Sequence, residues 1–343
     1  MTRSIFTKLA ISAFVAGGLL MGQASAADLP DAVKALIAGA KKEAEVSIYG
    51  RTLKPTAIRE FNKRLNAFYG IDVKLHMAGG FHTAKAAEIQ LAVKKGAPTG
   101  IDVFWTSYAT SFRLERANAM TKFDWTTLGI DPKLRASDYG VKSHDVSLCF
   151  VSYNTNLVKD SEAPKTWDDL LNPKWKGRIT MPRSPAVWVY VTVALGEEKS
   201  EKLLRGLMGE QGVKRMAKFS DVRTRVANGE FAIGIGTDAF SLIRKGAPIK
   251  MAKVGPMGLS NWAFYMLKDV QHPNLAKLWA YWITTPNGQK ALADIDGTGF
   301  TTSAGAPIAK LSDGQNIGWL TRDYMKKNGR RLIKKYAKIM KIR

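Results

Sequence analysis

Within about 60 residues, from Glu45 to Tyr108, the apolar pattern switches repeatedly between the two-residue period of a strand and the 3.6-residue period of a helix. Glu45-Val46-Ser47-Ile48-Tyr49 reads as a strand. The turn Gly50-Arg51-Thr52-Leu53-Lys54-Pro55 leads into a helix over Thr56–Tyr69. Asp72–His76 is a second strand, Gly79-Gly80 a turn, and Thr83–Lys95 a second helix. Gly100–Trp105 is a third strand that ends in Thr106-Ser107-Tyr108. A βαβαβ unit of this kind commits the chain to an α/β architecture with largely parallel strands.

The rest of the chain follows the same grammar. A helix over Pro30–Ala44 comes before the unit. Strands are expected at Ser147–Tyr153, Gly177–Pro182, Phe231–Ile235 and Ile249–Val254. Helices are expected at Trp167–Leu171, stopped before Pro173, and at Ala186–Ala194, where Pro185 stands in the first turn at little cost. Ser220-Asp221 reads as a cap for Val222–Asn228, a helix follows Gly236-Thr237-Asp238 as far as Lys245, and Pro273–Thr284 is another.

The first 26 residues set the compartment. Arg3 and Lys8 precede an apolar run from Leu9 to Met21, and Ala24-Ser25-Ala26 is a small-x-small cleavage pattern, so residues 1–26 read as a secretory signal peptide. The expected location is the periplasm. Residues 27–343 are enough for two domains. The lone Cys149 sits in the apolar run Val146–Val151 and reads as a buried, inert thiol.

The net charge of +23 falls by two when Arg3 and Lys8 leave. It is concentrated at the end, where Met325–Arg343 holds nine Lys/Arg and no Asp or Glu. Leu332, Tyr336, Ile339 and Met340 recur there at helical spacing. The tail is therefore an amphipathic basic helix that either packs on the body by its apolar stripe or meets an anionic surface. Export and the absence of a recognition motif argue against nucleic acid.

The chain lacks H-E-x-x-H, a Walker loop, C-x-x-C and G-x-S-x-G, so it carries no catalytic signature. None of its four histidines has the spacing of a helical metal pair, and His76 and His82 read as turn or surface residues. Gly234-Ile235-Gly236-Thr237-Asp238-Ala239 fits G-x-G-x-x-A, but the next strand ends near Lys253-Val254-Gly255 without the acid that a dinucleotide site needs. Polar residues gather instead where strands end: Arg51-Thr52, Thr106-Ser107-Tyr108, Arg183-Ser184 and Thr237-Asp238. Open α/β sheets bind ligands at such ends. Two arginines offer planar donor forks matched to carboxylate or phosphate, and helix starts after Ser184 and Asp238 add free N–H groups. Tyr108, Phe240 and Trp262 are candidates either to cover an apolar part of a ligand or to pack in the core.

Two stretches carry a family resemblance. Tyr153-Asn154-Thr155-Asn156-Leu157-Val158, with Pro164-Lys165-Thr166-Trp167-Asp168-Asp169-Leu170-Leu171-Asn172-Pro173-Lys174-Trp175-Lys176-Gly177-Arg178-Ile179, resembles the extracellular solute-binding proteins of ABC importers. The similarity is to their ferric-iron, polyamine and phosphonate branch. His272-Pro273-Asn274, Trp282, Pro286-Asn287-Gly288-Gln289 and Asn228–Gly234 match further elements of it. The resemblance implies a two-lobed, periplasmic-binding-protein-like fold of type II with two hinge crossings, near Ser147–Tyr153 and Lys253–Trp262. Lobe 1 is then 27–145 with 255–320, lobe 2 is 146–254, and 321–343 is the basic tail. It also implies an inner-membrane ABC permease as partner, a monomer, no enzymatic activity and no cofactor.

Ferric-binding members place two adjacent tyrosines where this chain has Gly236-Thr237-Asp238-Ala239-Phe240, and often a carboxylate where it has Thr106-Ser107-Tyr108. No metal ligands are therefore assigned. The expected cargo is a small organic anion (a phosphonate, phosphate ester or carboxylate), with ferric iron as the alternative. Arg51 and Arg183 would pair with the anion. Thr52, Thr106, Ser107, Ser184 and Thr237 would donate to it. Tyr108 and Tyr153 would contact or gate it. Asp238 would accept from the ligand or cap its own helix.

Overall fold

The computed structural model describes residues 29–342, so the expected signal segment, residues 1–26, lies outside the described residues. The opening unit is α1 (Asp31–Glu43), β1 (Glu45–Gly50), α2 (Pro55–Tyr69), β2 (Lys74–Gly79), α3 (His82–Lys94), β3 (Val103–Ser107) and α4 (Tyr108–Arg116). α2 shows how local sequence sets these elements. Pro55 stands in its first turn, Gly70 ends it in the left-handed region, and Phe61, Leu65, Phe68 and Tyr69 form the stripe that it buries. β4 (Arg135–Ser137) and β5 (Gly140–Val146) follow at the sheet edge.

The chain then builds a second sheet from β6 (Phe150–Asn154), β7 (Ile179–Pro182), β8 (Lys214–Met216), β9 (Ile233–Gly236) and β10 (Ile249–Ala252). It is clothed by α5 (Ala186–Leu195), α6 (Glu197–Met208), α7 (Phe219–Ala227) and the single turn α8 (Phe240–Ile243). β11 (Met257–Met266) returns to the first sheet. After it come α9 (Pro273–Thr284), α10 (Pro286–Ala291), a π-helical turn at Leu292–Asp296, α11 (Pro307–Ser312), β12 (Ile317–Trp319) and α12 (Arg322–Ile339). The first sheet has the order β2-β1-β3-β11-β5-β4 with β12 beside β11, and the second β10-β6-β9-β7-β8. The βαβ strands are parallel, whereas β11 runs antiparallel to β3 and β5, and β6 antiparallel to β9 and β10. The result is the two-lobed α/β class, each lobe with its own apolar core.

Three connections join the sheets. Residues 147–149 link β5 to β6, residues 253–256 link β10 to β11, and Leu320-Thr321 links β12 to α12. The crossings are narrower than the sequence suggests, since Phe150–Asn154 already pairs in the second sheet and Met257–Trp262 in the first. The connections are stitched together sideways: Ser147 Oγ donates to Gly258 O at 2.7 Å, and Ser260 Oγ donates to Leu320 O at 3.0 Å. Gly258 and Gly318 are required here, because a Cβ on either would collide with the α5 backbone at Tyr190 or Val193. α5 is apolar all round because it is covered on both sides, by these strands and by α12. Cys149, at the first connection, is buried, and burial pushes its thiol up to about 11.

α12 shows where the apolar stripe of the basic tail goes. Thr321 caps it by accepting from Tyr324 N at 3.2 Å, and Leu332, Tyr336 and Met340 are fully buried in the second lobe's core. The Tyr336 hydroxyl lies 2.5 Å from Thr192 Oγ1, and Arg331 and Lys335 pair with Glu197. The apolar stripe packs on the body, and residues 322–339 form an integral helix. Truncating Leu332 to Ala should therefore cost about 2–5 kcal/mol of unfolding free energy in a urea titration, an outcome that a loose tail would not give.

Candidate functional site

Parallel register assembles the polar strand ends. Ile48 pairs with Val103 and Tyr49 with Phe104, so the next residues of β1 and β3 set Arg51-Thr52 beside Thr106-Ser107. In the second lobe Ile179 pairs with Ile233 and Thr180 with Gly234, which sets Arg183-Ser184 beside Thr237-Asp238. Pro182 packs close to Gly236 at that end.

The first lobe's wall is tied together by a histidine that the sequence reading takes as a turn residue. His82 Nδ1 lies 2.7 Å from Thr106 Oγ1, and Nε2 lies 3.1 Å from the Gly50 carbonyl. A carbonyl only accepts, so the partners assign the proton to Nε2, and Nδ1 accepts from the threonine hydroxyl. Burial, with help from the Arg51 charge, holds the His82 pKa below its ordinary value, consistent with this neutral form. The ring stacks on Phe104 at 5.4 Å and leans on Trp262 at 5.0 Å. Thr106 is fully buried and spends its hydroxyl on His82, so it orients the wall and does not face the cleft. Behind it, His144 is buried among Trp105, Trp262 and Ser143, and burial drives its pKa down strongly.

Arg51 reaches a partner more than two hundred residues away. Its Nε lies 2.8 Å from Asp296 Oδ2, with the aspartate side chain only 7% exposed and the arginine 27%. Burial raises the Asp296 pKa, and the charge of Asp238 raises it further, while Arg51 and Arg244 oppose the shift. Asp238 and Asp296 therefore sense each other across the lobe boundary. Arg244, at the end of α8, extends to the carbonyl oxygens of Ala293, Asp294 and Ile295 at 3.4, 3.0 and 3.4 Å. It is a clasp between the lobes on the open end of the π-helical turn. Arg223 Nη1 donates to the Asp238 carbonyl at 3.2 Å. The cluster thus holds Arg51, Arg183, Arg223 and Arg244 against Asp238 and Asp296.

Other expected site residues go elsewhere or do less. Asp238 Oδ1 accepts from Phe240 N at 3.2 Å, the capping role, and α8 is a single turn too short to supply an N-terminal anion site. α7 starts at Phe219 after Lys218, so Ser220-Asp221 lies in its first turn and does not cap it. Thr52 and Arg183 are exposed; Ser107, Ser184 and Thr237 are half-buried. Tyr153 stands opposite Ile233, about 10 Å along β6 from the Phe150–Gly236 pair at the cleft end. Its hydroxyl donates to Asp160 at 2.8 Å, so it belongs to the outer end of the second lobe. Phe240 packs against Phe150 in a small core at the hinge. Tyr108 is buried in the same apolar cluster as Phe104, and its hydroxyl donates to Asn261 Oδ1 at 3.1 Å. Asn261 Nδ2 in turn donates to Asp145 Oδ1 at 2.5 Å. His82, Asp296, Arg223 and Arg244 were missed because no local pattern marks them: each acquires its role from a segment distant in sequence.

The comparisons agree with this architecture. Residues 117–328, more than half of the chain, match the family model of bacterial extracellular solute-binding proteins, and the chain belongs to that family. The family is one of substrate-binding transport components, not enzymes. The chain is 33% identical over 115 residues to a Fe(3+)-binding periplasmic protein of Serratia marcescens, a match that spans 32% of this chain and 33% of that relative. Among solved structures, iron-bound HitA from Pseudomonas aeruginosa is 18% identical with a TM-score of 0.62, covering 85% of this chain and 99% of its own. AfuA from Actinobacillus pleuropneumoniae, solved with fructose-6-phosphate, is 18% identical with a TM-score of 0.64, covering 87% of this chain and 99% of its own. A substrate-binding protein from Bradyrhizobium japonicum, 14% identical, reaches 0.67 over 87% of this chain and 99% of its own. At these identities the structural likeness speaks for the fold.

Asp145 gives a testable pH dependence. Burial raises its carboxyl to about 6, against the help of Thr301, Lys142 and Asn261, so the folded state holds the proton more tightly than the unfolded chain. Its contribution is fully present below the ordinary carboxylate pKa and is lost as pH rises through about 6. Unfolding free energy measured from pH 4 to pH 7.5 should fall through this window, and Asp145→Asn should flatten that part of the profile.

Proposed function

We propose that this chain is the periplasmic receptor of an ABC importer and that it captures a small organic anion (a phosphonate, phosphate ester or carboxylate) between its lobes. The observation that carries the reading is the charge balance at the lobe boundary: Arg51 and Arg183 at strand ends, Arg223 on α7 and Arg244 after α8, against Asp238 and Asp296, which already have partners. Asp296 holds Arg51 through an ion pair in which Nε lies 2.8 Å from Oδ2. Arg51 and the exposed Arg183 take the ligand's anionic group, while Thr52, Ser107, Ser184 and Thr237 supply hydroxyl or backbone donors. The lobes are 27–145 with 255–320, and 146–254. Closure about the three stitched connections traps the ligand, and the closed form is what the permease recognises.

Ferric iron is the second reading, favoured by the Fe(3+)-binding and iron-bound relatives named above. The hard-oxygen set it would need is sparse here. Thr237-Asp238 follows β9, Asp238 caps α8, and Asp296 is committed to Arg51 and Thr298.

A thermal-shift screen decides between them. Phosphonates, sugar phosphates or dicarboxylates should raise the melting temperature by mass action, and Arg51→Ala and Arg183→Ala should each weaken the best of them by about tenfold or more. No shift with any anion, together with a visible tyrosinate band on adding ferric salt, would replace the anion by iron.

A further inference from the structure

A second cavity, of about 700 Å³, lies on the hinge side of the first sheet, and the cleft arginines do not line it. Its volume is in the range of small-molecule sites. The third connection, Leu320-Thr321, lines it directly, with Asp145 two residues before the first connection and Asn261 five residues beyond the second. Tyr108, Phe300 and Leu320 give it an apolar wall, and Trp319, 40% exposed, stands at it as one of four exposed large apolar side chains among the described residues.

Asp131, Lys133, Arg135, Arg322 and Asp323 also line it, and its two charges on the first sheet's inner strand are placed by a flaw in β5. Lys142 and Asp145 are three residues apart and would point to opposite faces of a regular strand. The register shifts between Trp262 and Ala263, where Trp262 pairs with His144 and Ala263 with Lys142, so Ser143 is an extra residue. This bulge turns Lys142 and Asp145 to the same face, beside Asn261, into the cavity. Ser143 is meanwhile used on the other side, where its hydroxyl accepts from Trp105 Nε1 at 2.8 Å. Lys142 and Asp145 influence each other's titration, yet Lys142 forms no ion pair among the described residues. Two partly desolvated opposite charges that do not touch are unfavourable on their own. A ligand with an ammonium and a carboxylate would satisfy both.

We infer that the hinge-side cavity is a binding site for a small zwitterion with an apolar or aromatic body, the chemistry of an apolar α-amino acid. The ammonium lies against Asp145, the carboxylate against Lys142, and the body against Trp319, Phe300 and Leu320. Such a ligand touches the third connection, Leu320-Thr321.

The test is calorimetric titration of the whole mature protein at pH 7.5 with L-phenylalanine, 3-phenylpropionate and 2-phenylethylamine. Phenylalanine should bind saturably with one site, and each singly charged analogue about tenfold or more weaker. Lys142→Met, a change at a half-exposed position, and Asp145→Asn should each cost about tenfold or more, whereas Lys95→Ala, at an exposed position that does not line the cavity, should leave this binding unchanged. Absence of saturable binding by all three compounds would overturn the inference. So would equal binding of the analogues, or undiminished binding in both Lys142→Met and Asp145→Asn. The arginine reading of the cleft stands or falls separately, on its own screen.

Discussion

A carboxylate as hidden as Asp296 is stable only beside a cation, and Arg51 is that cation. The pair does more than neutralise a charge. Arg51 follows β1, and Asp296 ends the π-helical turn that follows α10, so the ion pair fixes the end of one of the first lobe's inner strands against a segment from the far end of the chain. The turn so held aims its last carbonyls outward, and Arg244 of the second lobe binds them. Asp238, next to this contact, would repel Asp296 if the arginines were absent. The boundary between the lobes is thus a balance of like and unlike charges.

Much of the scaffold was legible in the sequence, and the reasons are local. α9 spans Pro273–Thr284, the segment that its apolar spacing marks, and α2 and α3 fall within a residue or so of their expected bounds. Proline at a helix start, glycine past its end and alternation in the strands are short-range signals. Strand bounds were harder at both ends: β3 begins at Val103 and not Gly100, β6 at Phe150 and not Ser147, β2 runs on to Gly79, and the helix expected after Asp238 shrinks to one turn. The site was legible in outline, because strand ends gather once parallel pairing is granted, and Arg51, Thr52, Ser107, Arg183, Ser184, Thr237 and Asp238 all stand at such ends.

The misreadings share a cause. Thr106 reads as a ligand contact, but a histidine at the start of α3 captures its hydroxyl. Tyr108 is adjacent in sequence to the site, yet it opens α4, is buried and spends its hydroxyl on Asn261. Tyr153 lies on the right strand and at the wrong end of it, which only the antiparallel pairing of β6 with β9 reveals. The bulge at Ser143 is invisible without β11, whose partners lie about 120 residues downstream. In each case a long-range pairing decides which way a side chain faces, and no window of local sequence contains that information.

The hinge couples the two cavities. Ser147 binds the second connection and Ser260 the third, so the three cannot bend independently. Rotation about this bundle moves Arg244 and Asp238 relative to Asp296 on one side. On the other side it moves α12, which carries Arg322, relative to α4, where Arg322 pairs with Glu115 and stacks on Phe112 at 4.8 Å. Whatever shifts the lobes at the cleft therefore also shifts the contacts of α12, and by linkage any two ligands that prefer the same lobe arrangement strengthen each other by the same factor. The basic C-terminal helix takes part in this as a strut between the lobes, because its apolar stripe is buried in one lobe and its first turn is anchored to the other.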